Sequence, residues 1–294
     1  MLLVQKAEHE KIMSPKVTVL KVLDLVPFGL GGDSGKFYAL RLTPPDFAEW
    51  HPGQYVMIRP EAWNVDLPWA RPFSICMLSS RDLVLFFQVL GRGTERMTRL
   101  KHDDRVQVVG PLGTGFAVEP ETPTLLLAGG VGIAPFAGYV QNHPTPWSLH
   151  LDFGHRLPLE CYPFENFAGK ILAENYLERN PKDREKFISA MDTHIAEHAS
   201  RNGLILACGP IPMLKTVQLL CFRHGAKAQL SLETRMACGL GACLGCVIQP
   251  LLDEASGKNK SAHKLPEAML SGLPVPVCTC GPVFWADSVD LNKE

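Results

Sequence analysis

The 294-residue chain has no internal repeat and no low-complexity tract, and nothing in it reads as a membrane span. Its first residues, MLLVQKAEHEKIM, set charges among few apolar positions, which excludes a secretory signal there. An excess of charge of one sign is also missing. The 29 Lys and Arg stand against 30 Asp and Glu, a formal net charge of −1, and no basic run offers a nucleic-acid surface. Neither a Ser/His/Asp set nor paired carboxylates stand out. The ten His form no ligand-like constellation, and His150 and His155 have no carboxylate matched to them in sequence, so they receive no role. What is present is a globular composition, 46% apolar and 20% charged, with length for two or three domains and the cytoplasm as the expected compartment.

The nine cysteines are unevenly spread. Cys76, Cys161, Cys208 and Cys221 are scattered, whereas Cys238, Cys243, Cys246, Cys278 and Cys280 crowd the last quarter. In a reducing compartment such crowding points to metal or redox chemistry rather than disulfides. The scattered four read as small core residues, Cys208 with the further option of lying near a nicotinamide.

Residues 16–109 carry short β-type runs (VTVLKVLDLV, KFYALRL, QYVMI, PFSICML, LVLFFQVL, RVQVVG) broken by turn residues, the pattern of an all-β sandwich or barrel. One helix is expected over 94–101 with Thr94 as its N-cap. After Gly115 the character changes. Apolar runs at 124–128, 148–153, 204–207 and 229–232 alternate with helical stretches near 182–198 and 211–224, which predicts βαβ units and a parallel sheet. Residues 233–294 are rich in Gly, Pro and Cys. They promise little core of their own, so a bound group is expected to hold them together.

In the stretch from Arg235 to Cys246 the cysteines follow C-x4-C-x2-C, with another cysteine about thirty residues on. That is the plant-type [2Fe–2S] spacing. Gly239, Gly241, Ala242 and Gly245 let the backbone wrap closely and aim N–H groups at sulfur, and glycine tolerates the positive φ a tight loop needs. Structural zinc also accepts four thiolates, but usually from two separated knuckles of closely spaced pairs. Cys278 and Cys280 are both open as the fourth ligand on spacing alone.

Upstream, Arg71-Pro72-Phe73-Ser74 on an expected strand offers a bidentate pyrophosphate clamp, a stacking ring and a hydroxyl to one ligand. Gly91-Arg92-Gly93-Thr94 opens the expected helix, where a phosphate can approach. Gly129-Gly130-Val131-Gly132 resembles a phosphate-binding turn but equally suits a strand-to-helix packing turn.

Taken in order, RPFSI, GRGT, GPLGTGF, LLLAGGVGIAPF, ACGPIPML, ETRMACGLGACLGCVI and VCTCGPVF resemble the ferredoxin-reductase-like superfamily, and within it the dihydroorotate dehydrogenase electron-transfer subunits. The resemblance runs from about Val17 onward. It implies a multidomain α/β plus β fold: a Greek-key FAD barrel (14–118), an α/β NAD-binding-like layer (119–232) and a small [2Fe–2S] domain (233–294). It assigns FAD to Arg71, Pro72, Phe73, Ser74, Gln88, Val89, Leu90, Gly93 and Thr94. It assigns the cluster to Cys238, Cys243, Cys246 and Cys278, the last because the family's ligand lies three residues before the glycine that is Gly281 here. Cys280 falls at a non-ligand position. The resemblance further implies that electrons pass between NAD(H), FAD, the cluster and an FMN-containing dihydroorotate dehydrogenase catalytic subunit, as a heterotetramer in pyrimidine biosynthesis. No acid–base residue is required in this subunit.

Three departures stand out. The 31 residues between Cys246 and Cys278 are a long gap, so 251–276 reads as a surface insertion. Residues 174–202 lack the Asp-Gly-Ser type loop of relatives, leaving NAD with less support than FAD. The N-terminal dozen is unmatched. Two other readings compete: the small subunit of another NAD(P)H:ferredoxin-type oxidoreductase, whose first cluster ligand is often Asp where this chain has Cys238, and a non-redox adaptor stabilised by zinc.

Overall fold

In β1 (Lys16–Phe28) Leu20 and Val22 are buried while Val17 and Val19 face solvent, the period-two pattern of a half-buried strand. The computed structural model describes residues 16–292 apart from 48, 64, 254–258, 260, 262 and 264. The unmatched N-terminal dozen therefore lies outside the described residues, and the 251–276 insertion lies partly outside them. β2 (Phe37–Leu42), β3 (Tyr55–Pro60), β4 (Arg71–Ser74), β5 (Met77–Leu78), β6 (Leu83–Gln88) and β7 (Arg105–Leu112) complete an antiparallel sheet in the order β4-β3-β7-β1-β2-β6-β5. The run PFSICML, expected as one strand, is broken in two. Ile75 N–H bonds back to Gln54 at the start of β3, and the next amide, of Cys76, bonds Val84 on β6. The chain thus crosses from one end of the sheet to the other there, and the sheet curls until Phe73 on β4 and Phe87 on β6 lie 5.7 Å apart. Leu40, Ile58, Leu85, Phe87 and Val106 fill the space inside.

The expected helix over 94–101 is corrected to α1 (Arg92–Met97), which begins after Gly91. Thr94 is not its N-cap but its third residue. Its hydroxyl accepts from the amides of Leu90 (3.0 Å) and Gly91 (3.2 Å), so a hydroxyl read as starting the helix instead reaches back to satisfy the turn before it.

The second layer comprises β8 (Thr124–Gly129), α2 (Ala134–Asn142), β9 (Leu149–His155), β10 (Leu172–Leu177), α3 (Pro181–Ser200), β11 (Leu204–Cys208), α4 (Ile211–His224) and β12 (Lys227–Ser231). The five strands are parallel in the order β10-β9-β8-β11-β12. Buried on both faces, β8 and β11 read as unbroken apolar runs. α2 lies between this sheet and the first, where Phe136 and Tyr139 share a core with Phe37 and Phe86. α3 and α4 cover the other face through Phe187, Met191, Ile195, Leu214 and Val217. Asn180 caps α3 by accepting the Asp183 amide at 3.1 Å, and Pro181 occupies the first turn.

The C-terminal part does not depend on a bound group alone, contrary to expectation. β13 (Val247–Pro250) pairs with β14 (Val275–Pro276) and β16 (Val289–Asp290), and β15 (Val283–Trp285) adds antiparallel to β12. Its Ile248, Val275, Val277, Val289 and Leu291 join the core beneath α4. There Gln218 donates to the carbonyls of Ala286 (2.7 Å) and Val289 (2.8 Å). The segment thus borrows a core from its neighbour. Two short helices, α5 (Glu267–Leu270) and α6 (Val277–Cys280), complete it. Among the described residues no helix is long and apolar enough to cross a membrane.

Candidate cofactor sites

The loop between β12 and β13 turns sharply at Gly239 (φ +68°) and Gly241 (φ +76°), backbone angles that L side chains adopt only under strain. The turn aims amides at sulfur. Leu240 N lies 3.4 Å from Cys238 Sγ, and Gly241 N lies 3.1 Å from Cys278 Sγ. Backbone N–H groups of Leu240, Cys243 and Ala242 pull the Cys238 thiol down to about 6, a site built for a thiolate. Burial, then the adjacent Cys246, pushes the Cys278 thiol up. The Cys243 thiol lies beside Cys238 and the Cys246 thiol beside Cys278, with Cys238 also close enough to act on Cys278 through its charge. Cys278, at the start of α6, therefore reaches the loop. Cys280 instead packs partly buried against the core.

Beside this loop lies a cavity of about 210 Å³. The first sheet lines it with Tyr55, Pro72, Phe73, Ser74, Gln88 and Leu90, together with Thr94 of α1, and the second layer adds Val131, Cys208 and Glu233. Three of the residues expected at a flavin stand back from it. Arg71 lies over the Trp63 ring at 5.6 Å and close against Gly93, where a Cβ would come within 2.9 Å of the guanidinium. Val89 packs on the core of the curled sheet. Tyr55 joins cavity and loop: its ring lines the cavity while its hydroxyl donates to the Cys278 carbonyl at 2.9 Å.

A larger cavity, about 760 Å³, opens at the carboxyl ends of the parallel strands. The strand order reverses between β8 and β11, the place where open α/β sheets bind ligands. Gly132 passes so close to Cys208 that a Cβ would sit 2.2 Å from its carbonyl oxygen, a packing requirement. Gly130 (φ +54°) faces open space. The packing reading of the GGVG turn thus has direct support at Gly132, and the open space at Gly130 leaves room for a ligand. Arg156, Glu178, Arg184 and Met213, none singled out from the sequence, also line the crevice, as does His155, which the sequence reading left without a role. Arg156 directly follows a strand end, a positional signal that could have found it. Glu233 borders both cavities, and crowding by protein atoms raises its carboxyl above the usual range although its side chain remains open to solvent.

Residues 233–262 match the profile of the iron–sulfur cluster binding domain of dihydroorotate dehydrogenase B. The dihydroorotate dehydrogenase B (NAD(+)) electron transfer subunit of Caldanaerobacter subterraneus subsp. tengcongensis is 30% identical over 239 residues, covering 81% of this chain and 87% of the relative. The chain belongs to the dihydroorotate dehydrogenase B electron-transfer subunit family. The subunit of the same name from Listeria monocytogenes serotype 4b is 32% identical over 274 residues, covering 87% of this chain and 94% of the relative. Among solved structures, one of an NADH-dependent reduced ferredoxin-NADP oxidoreductase superposes with a TM-score of 0.71 at 21% identity, over 94% of this chain and 91% of the other. Ferredoxin-NADP+ reductase from Plasmodium falciparum gives 0.58 at 14% identity, over 72% and 91%. These two likenesses concern the fold.

One expectation is overturned. The histidines do form a ligand-like constellation: among the described residues, His150, Asp152, Glu174 and His194 place their ligand atoms within 4.8 Å of one another. Asp152 stands two residues from His150 on the same strand and was passed over, while Glu174 is supplied by the neighbouring strand.

Proposed function

We propose that this chain moves electrons between NAD(H), FAD, a [2Fe–2S] cluster and the FMN of a dihydroorotate dehydrogenase catalytic subunit in pyrimidine biosynthesis. The observation that carries this reading is the shared wall at Tyr55, which puts a ring-sized cavity and a thiol loop side by side. When bound, the flavin and the cluster supply conversion between two-electron and one-electron transfer; the protein supplies position and electrostatics.

Cys238, Cys243, Cys246 and Cys278 would hold the cluster. Tetrahedral zinc draws four sulfurs around one point at about 2.3 Å each, which would bring all four close together. Among the described residues no three of these sulfurs lie mutually within 4.8 Å, while Cys243 lies beside Cys238 and Cys246 beside Cys278, an arrangement that suits two irons. Amides aimed at the sulfurs favour the more negative, reduced cluster. Pro72, Phe73, Ser74, Gln88, Leu90 and Thr94 would line the flavin. Arg71 would clamp its pyrophosphate, with Gly93 giving the guanidinium room, and Val89 would back the strand from the core side. NAD would enter the crevice between β8 and β11, where Glu233 separates it from the flavin cavity.

We assign the three units to 14–118, 119–232 and 233–294, with the first sheet closing as a Greek-key barrel and β15 reaching back into the second unit. Leu240 and Leu244, exposed by 59% and 60% on the thiol loop, offer the catalytic subunit an apolar contact in a heterotetramer. The cytoplasm, where thiols stay reduced, is the proposed compartment. The test is an anaerobic visible spectrum before and after NADH. Flavin and iron–sulfur bands that bleach support the full path. Bands that bleach only with dithionite would remove NAD from it, and a colourless protein prepared without air or chelator would overturn the reading.

A further inference from the structure

At the amino-terminal end of the parallel sheet, away from the crevice, side chains of β9 and β10 meet α3. His150 and Asp152, two apart on β9, point to the face that α3 covers, and the parallel register sets Glu174 directly beside Asp152. α3 crosses above them. Its Phe187 lies over Gly154, and its His194 ring stands 4.7 Å from that of His150.

The group is short of partners in a way that points to a cation. Asp152 is fully buried and His150 is 8% exposed. Asp152 Oδ2 accepts from His194 Nδ1 at 2.7 Å, but Asp152 Oδ1 and His150 Nε2 are buried with no hydrogen-bond partner. They approach to 3.3 Å without the alignment of a bond. A carboxylate withdrawn from water needs a counter-charge, and an unsatisfied imidazole nitrogen beside it needs a donor or a metal. Tyr176 donates to Glu174 Oε2 at 2.6 Å, the kind of outer contact that orients a ligating carboxylate. A cavity of about 480 Å³ gives access from solvent past Glu121, Glu197 and Arg201.

We propose that His150, Asp152, Glu174 and His194 form a mononuclear site for a first-row divalent cation of the zinc type, separate from the cysteine loop. Two imidazoles and two carboxylates are a donor set such ions accept, and two carboxylates balance the 2+ charge. Ligation through His194 Nδ1 would use the neutral tautomer that carries its proton on Nε2. The ion would pin β9 and the edge strand β10 to the second half of α3. The first half of that helix carries Arg184, Phe187, Ile188 and Met191 to the crevice, so the site acts as a staple beneath it.

The test uses the full chain with its iron fully loaded, titrated with zinc chloride and followed by zinc K-edge absorption. One equivalent should bind with a nitrogen and oxygen shell at about 2.0–2.1 Å and no sulfur. His150→Ala and the isosteric Glu174→Gln should each weaken binding by about ten-fold or more while iron content and visible spectrum stay unchanged. At a zinc concentration near the parent's Kd, zinc should also raise the melting temperature of the parent more than that of either variant. No bound zinc, a sulfur shell, or variants that bind like the parent would overturn the proposal.

Discussion

The thiol loop and the imidazole–carboxylate group are both collections of metal-ligating side chains, yet they are built in opposite ways. Three of the four thiols lie within nine residues of one loop; Cys238 and Cys243 sit on its open side, while Cys246 and Cys278 are buried against the core. The other group draws from β9, β10 and α3, is largely buried, and converges on one point. Two pairs suit a cluster of two irons, whereas convergence suits a single ion. The same difference governs stability. The loop sits at the edge of a core that β13–β16 and α4 already complete, whereas the buried carboxylate sits inside the packing of the second layer.

That contrast can be broken by substitution. The largest expected effect is on electron transfer: Cys243→Ser should lose the cluster's iron and abolish reduction of the partner by NADH, while the flavin absorbance and the urea midpoint remain. Iron analysis beside a urea titration checks this, and a collapse of the fold would contradict the view of the loop as an appendage. His194→Ala should do the reverse. Removing the partner of buried Asp152 should cost about 3–5 kcal/mol in urea unfolding, with flavin and iron bands unchanged. A smaller effect is expected at Asn180→Ala, which removes the cap of α3. About 1 kcal/mol of stability should go, with a raised KM for NADH because α3 lines the crevice, and with unchanged dithionite reduction.

Legibility in the sequence followed the same division. The C-x4-C-x2-C loop declares itself because its ligands are consecutive, and the runs at β8 and β11 declare a parallel sheet because both faces are buried. β10, with the sequence LAENYL, escaped notice because it is an edge strand with no apolar run. β4 and β5 were read as one because nothing local marks the point where the backbone changes partner. Thr94 was misplaced because a hydroxyl three residues into a helix looks, in sequence, like one that begins it. His150, Asp152, Glu174 and His194 span 45 residues, and only the pairing of Glu174 with Asp152 and the path of α3 unite them. Register and helix packing are tertiary facts, and the crevice residues Arg156 and Arg184 were hidden for the same reason.

The most direct test of the central claim is electron paramagnetic resonance of the dithionite-reduced protein, compared across Cys278→Ser and Cys280→Ser. The account predicts the signal of one reduced [2Fe–2S] cluster in the parent, its retention in Cys280→Ser, and its loss or marked alteration in Cys278→Ser. A parent that holds zinc in place of iron and gives no signal, or a signal that depends on Cys280 and not on Cys278, would contradict it.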